Sequence, residues 1–276
     1  MNADIVVFGY GQLTSRIIEE LLKKNYSIIC VTDSFRDQEW FHSKRIKSIS
    51  YKDAMNSAIT SKITIFAWRD RSIAEKFATY LFEWLESSNF ATKKSFFLSS
   101  ASVYEDCTIA NDELCTNLEN NEKLSLEKSL AEVFLKKKII HTNLRISNVY
   151  GLGLDYGFIG SLLKSIQYGN TIEVHPKLNT TRDYIHVQDV VYAIEALIKI
   201  DTGKLCINIS TGIGTTISQI LGIFAKKGYK FENRKEIVLN SKSKIVSILD
   251  CTTLSKLIPW APSTLETTID KLIPNS

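Results

Sequence analysis

The residues whose spacing most plainly suggests chemistry lie at the start of the chain. Gly9-Tyr10-Gly11-Gln12-Leu13-Thr14 stands between an apolar run, Asp4 to Phe8, and a segment of helical periodicity. Two glycines in this spacing permit a tight turn and a close backbone approach to an anion. A helix starting there adds unpaired N–H groups and the positive end of its dipole, so the turn is suited to a pyrophosphate. A plain strand-to-helix turn is the alternative. Gly9, Gly11, Gln12 and Leu13 are therefore candidate dinucleotide-binding residues, with Thr14 in the usual place of a third glycine. About twenty residues on, Asp33 closes the next apolar run and Arg36 follows it. A carboxylate there accepts hydrogen bonds from an adenosine ribose, which favours NAD. A guanidinium meets a 2′-phosphate, which favours NADP. With both in one turn, the sequence does not choose between NAD and NADP.

These groups need a scaffold, and the periodicity supplies one. Asp4 to Phe8 and Ser27 to Val31 read as buried strands. Ile17, Ile18, Leu21 and Leu22 mark one face of a helix between them, with Asn25 as its stop. Ile63 to Ala67, Phe96 to Leu98 and Ile139 to Ile146 are further strands, and Ile73 to Glu86 and Leu126 to Lys138 are helices. Alternating strands and helices predict right-handed βαβ units and a parallel sheet.

Composition narrows the function classes. The 276 residues are 44% apolar and 23% charged, with a net charge of +4, which excludes disorder as the main state. No run of 18 apolar residues predicts a membrane span. Met1 to Asp4 lack a basic n-region, so a secretory leader is not expected. Short basic runs such as Lys136-Lys137-Lys138 read as a solvated helix end, which makes nucleic acid an unlikely partner. The five cysteines, Cys30, Cys107, Cys115, Cys206 and Cys251, are odd in number and match no zinc or redox spacing. Reduced cysteines in a cytoplasmic protein, with no metal site, are the expectation.

Four later segments carry a resemblance. Leu98 to Glu105, LSSASVYE, is similar to the Ser-Ser-x-x-Val-Tyr segment of extended short-chain dehydrogenases/reductases. Leu126 to Glu132, LEKSLAE, resembles that family's Ser-Lys-x-x-Ala-Glu helix. Leu144 to Gly153, LRISNVYGLG, and Arg182 to Ile194, RDYIHVQDVVYAI, resemble two more of its segments. Together they are similar to the NAD-dependent epimerase/dehydratase group, whose usual substrates are nucleotide sugars. The resemblance implies a hydroxyl at Ser100 for the substrate's reacting oxygen and a nicotinamide-ribose contact at Lys128. It implies phosphate or sugar contacts at Asn148 and a diphosphate partner at Arg182, where a guanidinium fork suits phosphate oxygens. It also implies a homodimer through the Lys128 helix, for which Leu130 and Phe134 are the apolar positions.

The sequence departs from the family at one point that matters. The proton-handling tyrosine belongs four residues before the lysine, and Leu124 stands there. Losing a general acid/base typically costs about 10²–10⁴-fold in rate. Three explanations are open: another group (Ser100, Tyr104, Ser125, Glu127 or the substrate itself) moves the proton; the chain binds without turnover; or its chemistry needs no tyrosinate.

The expected fold is α/β, a Rossmann-like doubly wound parallel sheet with a small C-terminal substrate lobe. Residues 1–150, completed by about 182–214, form the dinucleotide-binding domain; 151–181 and 215–276 form the lobe. The expected function is an NAD(P)-dependent nucleotide-sugar epimerase, 4-ketoreductase or dehydratase with an atypical active site. The alternative is a catalytically degenerate sensor or scaffold that binds the same ligands.

Overall fold

A seven-stranded parallel sheet runs in the order β10-β6-β5-β4-β1-β2-β3. The strands are β1 (Asn2–Phe8), β2 (Ile28–Val31), β3 (Lys47–Ile49), β4 (Ile59–Phe66), β5 (Phe90–Ser100), β6 (Ile140–Ile146) and β10 (Cys206–Ile209). The computed structural model describes residues 1–33, 38–44, 46–68, 80–104, 110–114, 122–168, 172–174, 180–229, 231–233 and 246–273. The chain divides into two compact units. The first holds Met1–Ser100, Glu119–Arg145 and Ile194–Ile207; the second holds Ala101–Leu118, Ile146–Ala193 and Asn208–Ser276.

In the first unit, Ile5 to Phe8 of β1 are fully buried, as a parallel strand covered on both faces requires. The helix α1 (Gln12–Lys23) buries Ile17, Ile18 and Leu21 and turns Arg16, Glu19, Glu20 and Lys23 outward in two ion pairs. Asn25 ends it at φ 62°, its N–H donating to the Leu22 carbonyl, so a left-handed residue closes the last turn. Two short helices missed by the sequence reading, α2 (Gln38–Ser43) and α3 (Tyr51–Met55), flank β3. An aromatic core follows. Phe8 stacks on Phe66 at 4.9 Å, Trp84 and Phe90 meet its edge, and Trp68 donates its indole N–H to the Tyr51 hydroxyl at 2.9 Å.

The helix α4 (Glu122–Lys136) covers this core with Leu124, Glu127, Leu130, Val133 and Phe134. Leu130 and Phe134 are fully buried in it. They are therefore spent inside the protomer, which corrects the expectation that they offer a dimer face. Glu127 belongs to the same buried stripe. Arg145 of β6 meets it with two bonds from Nε, at 3.0 and 3.2 Å, and one from Nη2 at 2.7 Å. The two side chains are only 3% and 2% exposed.

His141 of β6 is also buried, with Nδ1 3.0 Å from the Ser95 hydroxyl, Nε2 3.0 Å from Asn143 Oδ1, and its ring stacked on Phe134. Burial pushes its imidazole down to about 4. The unfolded chain binds this proton at about 6.5, so between those two values the unfolded state holds more protons and stability rises with pH. The contribution is complete above the unfolded value and is lost as pH falls through the folded one. We expect about 2 kcal/mol to disappear from the urea-unfolding free energy between pH 7 and pH 5. His141→Gln should remove that part of the slope; an unchanged slope would assign it elsewhere.

The second unit is built on β9 (Thr181–His186). It pairs in parallel with β7 (Asn148–Tyr150) and β13 (Val246–Ser247), and antiparallel with β11 (Gly214–Thr216). β8 (Ile172–Val174) and β12 (Phe231–Asn233) make a separate parallel pair. The helices α5 (Gly157–Gln167), α7 (Ile217–Lys226) and α9 (Leu265–Leu272) pack Ile159, Leu162, Ile220, Phe224, Leu265 and Ile269 around Tyr150 and Tyr184. The helix α6 (Val187–Lys199) follows β9, and α8 (Thr252–Leu257) precedes α9. Among the described residues no helix is long and apolar enough to cross a membrane, and no cluster of His, Cys, Asp and Glu could hold a metal.

Candidate active site

The strand order of the large sheet reverses between β1 and β4, and in open α/β sheets ligands bind at the carboxyl ends of the strands on either side of such a reversal. Gly9 follows β1 there, at φ +95°. A Cβ on it would lie 2.7 Å from the Ala67 carbonyl oxygen beyond β4, so only glycine lets the two loops meet. Gly11 is different. Its backbone is extended, and a Cβ on it would meet nothing within 4 Å. It caps α1 without a side-chain bond, and the first turn, which begins with Gln12 and Leu13, carries no acidic residue. Open space at this helix start fits a dinucleotide pyrophosphate. Thr14 is buried. Asp33 is exposed, and its Oδ1 accepts the Tyr51 backbone N–H at 3.0 Å. Arg36 lies outside the described residues.

At the end of β5, Ser100 is half-buried. On α4, Lys128 is exposed and Leu124 is 8% exposed. Two of the groups that the sequence offers for proton handling are already engaged. Tyr104 is fully buried, and its hydroxyl donates to Asn208 Oδ1 at 2.5 Å. Glu127 is held by Arg145. Both side chains serve structural bonds here. Ser125 is exposed. The sequence reading gave no role to Lys123, whose Nζ donates to the Trp68 carbonyl and lies 5.1 Å from the centre of the Phe97 ring.

The second unit brings Asn148 and Arg182 into one cavity of about 200 Å³, together with Tyr156, Phe158 and Tyr184. Register explains this: Asn148 pairs with Tyr184, and Arg182 is two residues earlier on β9, so all three point to the same face. Asn148 Nδ2 donates to the Asp183 carbonyl at 2.9 Å, and Arg182 Nη1 to the Thr181 carbonyl at 3.1 Å. The same cavity receives the start of α5, whose N-cap Tyr156 supplies no side-chain capping bond. A guanidinium, a side-chain amide and an uncapped helix start favour an anion, and the rings offer flat apolar surface.

Neighbouring carboxylates hold this frame. Asp183 accepts from Thr211 N and Oγ1 at 3.1 and 2.8 Å and from Gly212 N at 2.9 Å. Burial raises its carboxyl and these bonds oppose the rise. Asp189 accepts from Ser263 N at 2.9 Å. His186 is half-buried against Tyr150, and burial lowers its imidazole. On β10, Asn208 Nδ2 donates to the Asn111 and Asp250 carbonyls at 3.0 and 2.9 Å. Its backbone N–H donates to Glu113 Oε1 at 3.0 Å, and Thr253 Oγ1 donates to Glu113 Oε2 at 3.0 Å.

Comparison with known proteins bears on the family and the fold. The sequence profile of the NAD dependent epimerase/dehydratase family matches residues 72–209. No curated protein matches. Among solved structures, the chain is similar to a UDP-glucose 4-epimerase with UDP-glucose from Thermotoga maritima, at 20% identity and TM-score 0.79, over 98% of each chain. It is similar to a UDP-glucuronic acid 4-epimerase from Bacillus cereus in complex with UDP-glucuronic acid and NAD, at 18% identity and TM-score 0.79, over 98% of this chain and 97% of that one. It is also similar to a UDP-N-acetylglucosamine 4-epimerase from Methanobrevibacter ruminantium, at 19% identity and TM-score 0.78, over 98% and 96%.

Proposed function

Since the chain belongs to the NAD dependent epimerase/dehydratase family, whose profile spans half of it, we propose that it is an NAD-dependent nucleotide-sugar epimerase, 4-ketoreductase or dehydratase with altered proton handling. The observation that carries the reading is the cavity that unites Asn148 and Arg182 at the start of α5. Its chemistry suits the diphosphate and base of a nucleotide.

In this reading Gly9, Gly11 and the first turn of α1 hold the dinucleotide's pyrophosphate, and Asp33, fixed by the Tyr51 N–H, takes the adenosine ribose and favours NAD over NADP. Lys128 holds the nicotinamide ribose. Bound NAD supplies the hydride acceptor and donor. Ser100 hydrogen-bonds the sugar's reacting oxygen. Arg182 pairs with the diphosphate, and Asn148 orients the sugar or its phosphate. The test offers NAD with UDP-glucose, UDP-glucuronic acid and UDP-N-acetylglucosamine, following products by NMR. At least one sugar should be converted, and Ser100→Ala should lose about 10²-fold or more.

A second reading has its own support. Leu124 is apolar, and both Tyr104 and Glu127 are committed to structural bonds. A chain that binds NAD and UDP in calorimetry but converts no sugar is the sensor or scaffold; turnover abolished by Ser100→Ala excludes that.

A further inference from the structure

Lys123 sits one residue before Leu124, in the first turn of α4. Its Nζ donates to the carbonyl of Trp68, two residues past the end of β4, and faces the ring of Phe97 in β5. Phe97 pairs with Phe66, the last residue of β4, and stands three residues before Ser100 on the same strand. The ammonium is therefore held at the carboxyl ends of β4 and β5, where an open α/β sheet receives its ligand. An amine is chemically suited to the vacant task. Lysine and tyrosine titrate at about 10.4 and 10 in isolation, so an ammonium/amine pair covers the same range as a phenol/phenolate pair. A serine hydroxyl does not.

We propose that Lys123 is the proton-handling group of this chain, doing with Nζ what the family's tyrosine does with its hydroxyl; this rests on the enzymatic reading above. In the reducing direction, the sugar's keto carbon gains a hydride from the reduced dinucleotide and a C–H bond forms. The C=O π pair moves onto oxygen, which takes a proton from Lys123 Nζ as that N–H bond breaks. The products are the alcohol, the oxidised dinucleotide and a neutral amine that recovers its proton from water. In the oxidising direction the neutral amine accepts the hydroxyl proton.

The test compares the parent protein with Lys123→Met and Lys123→Arg on the three UDP-sugars above. Lys123→Met should lose about 10²–10⁴-fold in kcat, with the NAD dissociation constant within about twofold and part of the lost rate restored by added ethylamine. Lys123→Arg, which holds charge but does not release its proton near neutral pH, should stay impaired. A readout independent of turnover is acetic anhydride labelling followed by mass spectrometry. Labelling at Lys123 should fall when NAD and UDP-glucose are both present, while labelling at Lys136 should not. Full kcat in Lys123→Met, or unprotected Lys123, overturns the proposal. A parent protein that converts no sugar overturns the enzymatic reading and this proposal with it; an active parent with an active Met variant overturns this proposal alone.

Discussion

Arg145→Met lowers the unfolding free energy by about 3–5 kcal/mol, because it strands the Glu127 carboxylate inside the interface between α4 and β6. The two side chains are 3% and 2% exposed, and three hydrogen bonds join them. Taking two charges out of water costs nearly as much as their attraction returns, so the pair itself adds little net stability; the large loss comes from breaking it. The double variant Glu127→Met/Arg145→Met, apolar on both sides, should therefore recover most of the loss. Urea unfolding of the parent, both single variants and the double variant measures the coupling. Additive losses would show that the two residues do not act as a pair. The pair also fixes the rotation of the helix that presents Lys123 and Lys128, which is a reason for a costly arrangement to persist.

The next largest effect distinguishes two glycines two residues apart in the chain but unlike in physics. Gly9→Ala should destabilise the protein by about 2–4 kcal/mol, since the left-handed backbone costs about 1–2 kcal/mol for an L-residue and the new methyl meets a backbone carbonyl that cannot rotate away. Its φ of +95° and the 2.7 Å approach to the Ala67 oxygen set this. Gly11→Ala should change stability by less than about 1 kcal/mol, its backbone being extended and the space around its Cβ open. In the proposed reading that space holds the pyrophosphate, so NAD affinity should fall by about tenfold or more, close to 1.4 kcal/mol. Thermal unfolding and calorimetric NAD titration of both variants check the contrast. A Gly11→Ala protein with parental NAD affinity would remove the turn from the cofactor site.

How much of this was legible beforehand depends on where burial and polarity agree. β1, the glycine turn and α1 are written plainly, because apolar runs, glycine and helical periodicity all point the same way. β5 was read as Phe96 to Leu98 and runs from Phe90 to Ser100. Its first half carries Thr92, Lys93, Lys94 and Ser95, and polar residues do not announce a strand. They are tolerated there because Ser61 donates to Thr92 at 3.0 Å and Ser95 meets His141. Long-range partners of that kind leave no local pattern. Glu127 stood only as a candidate proton-handling group for the same reason, although an arginine inside the apolar strand Leu144 to Ile146 was a hint that something opposite must answer it. Leu130 and Phe134 show the converse: an apolar helix stripe does not say whether it faces its own core or a second copy. Register brought Asn148 and Arg182 to one cavity from positions 34 residues apart, and no spacing rule along the chain would have done so.

The bonds around Asn208 have a consequence for solubility. β10 is a terminal strand of the sheet, and a terminal strand presents N–H and C=O groups that can template another chain. Here the backbone N–H of Asn208 is already taken by the Glu113 carboxylate, and the Asn208 amide bonds the carbonyls of Asn111 and Asp250. A negative side chain laid across the rim of the strand occupies one of the positions that an incoming strand would use, which works against edge-to-edge pairing there.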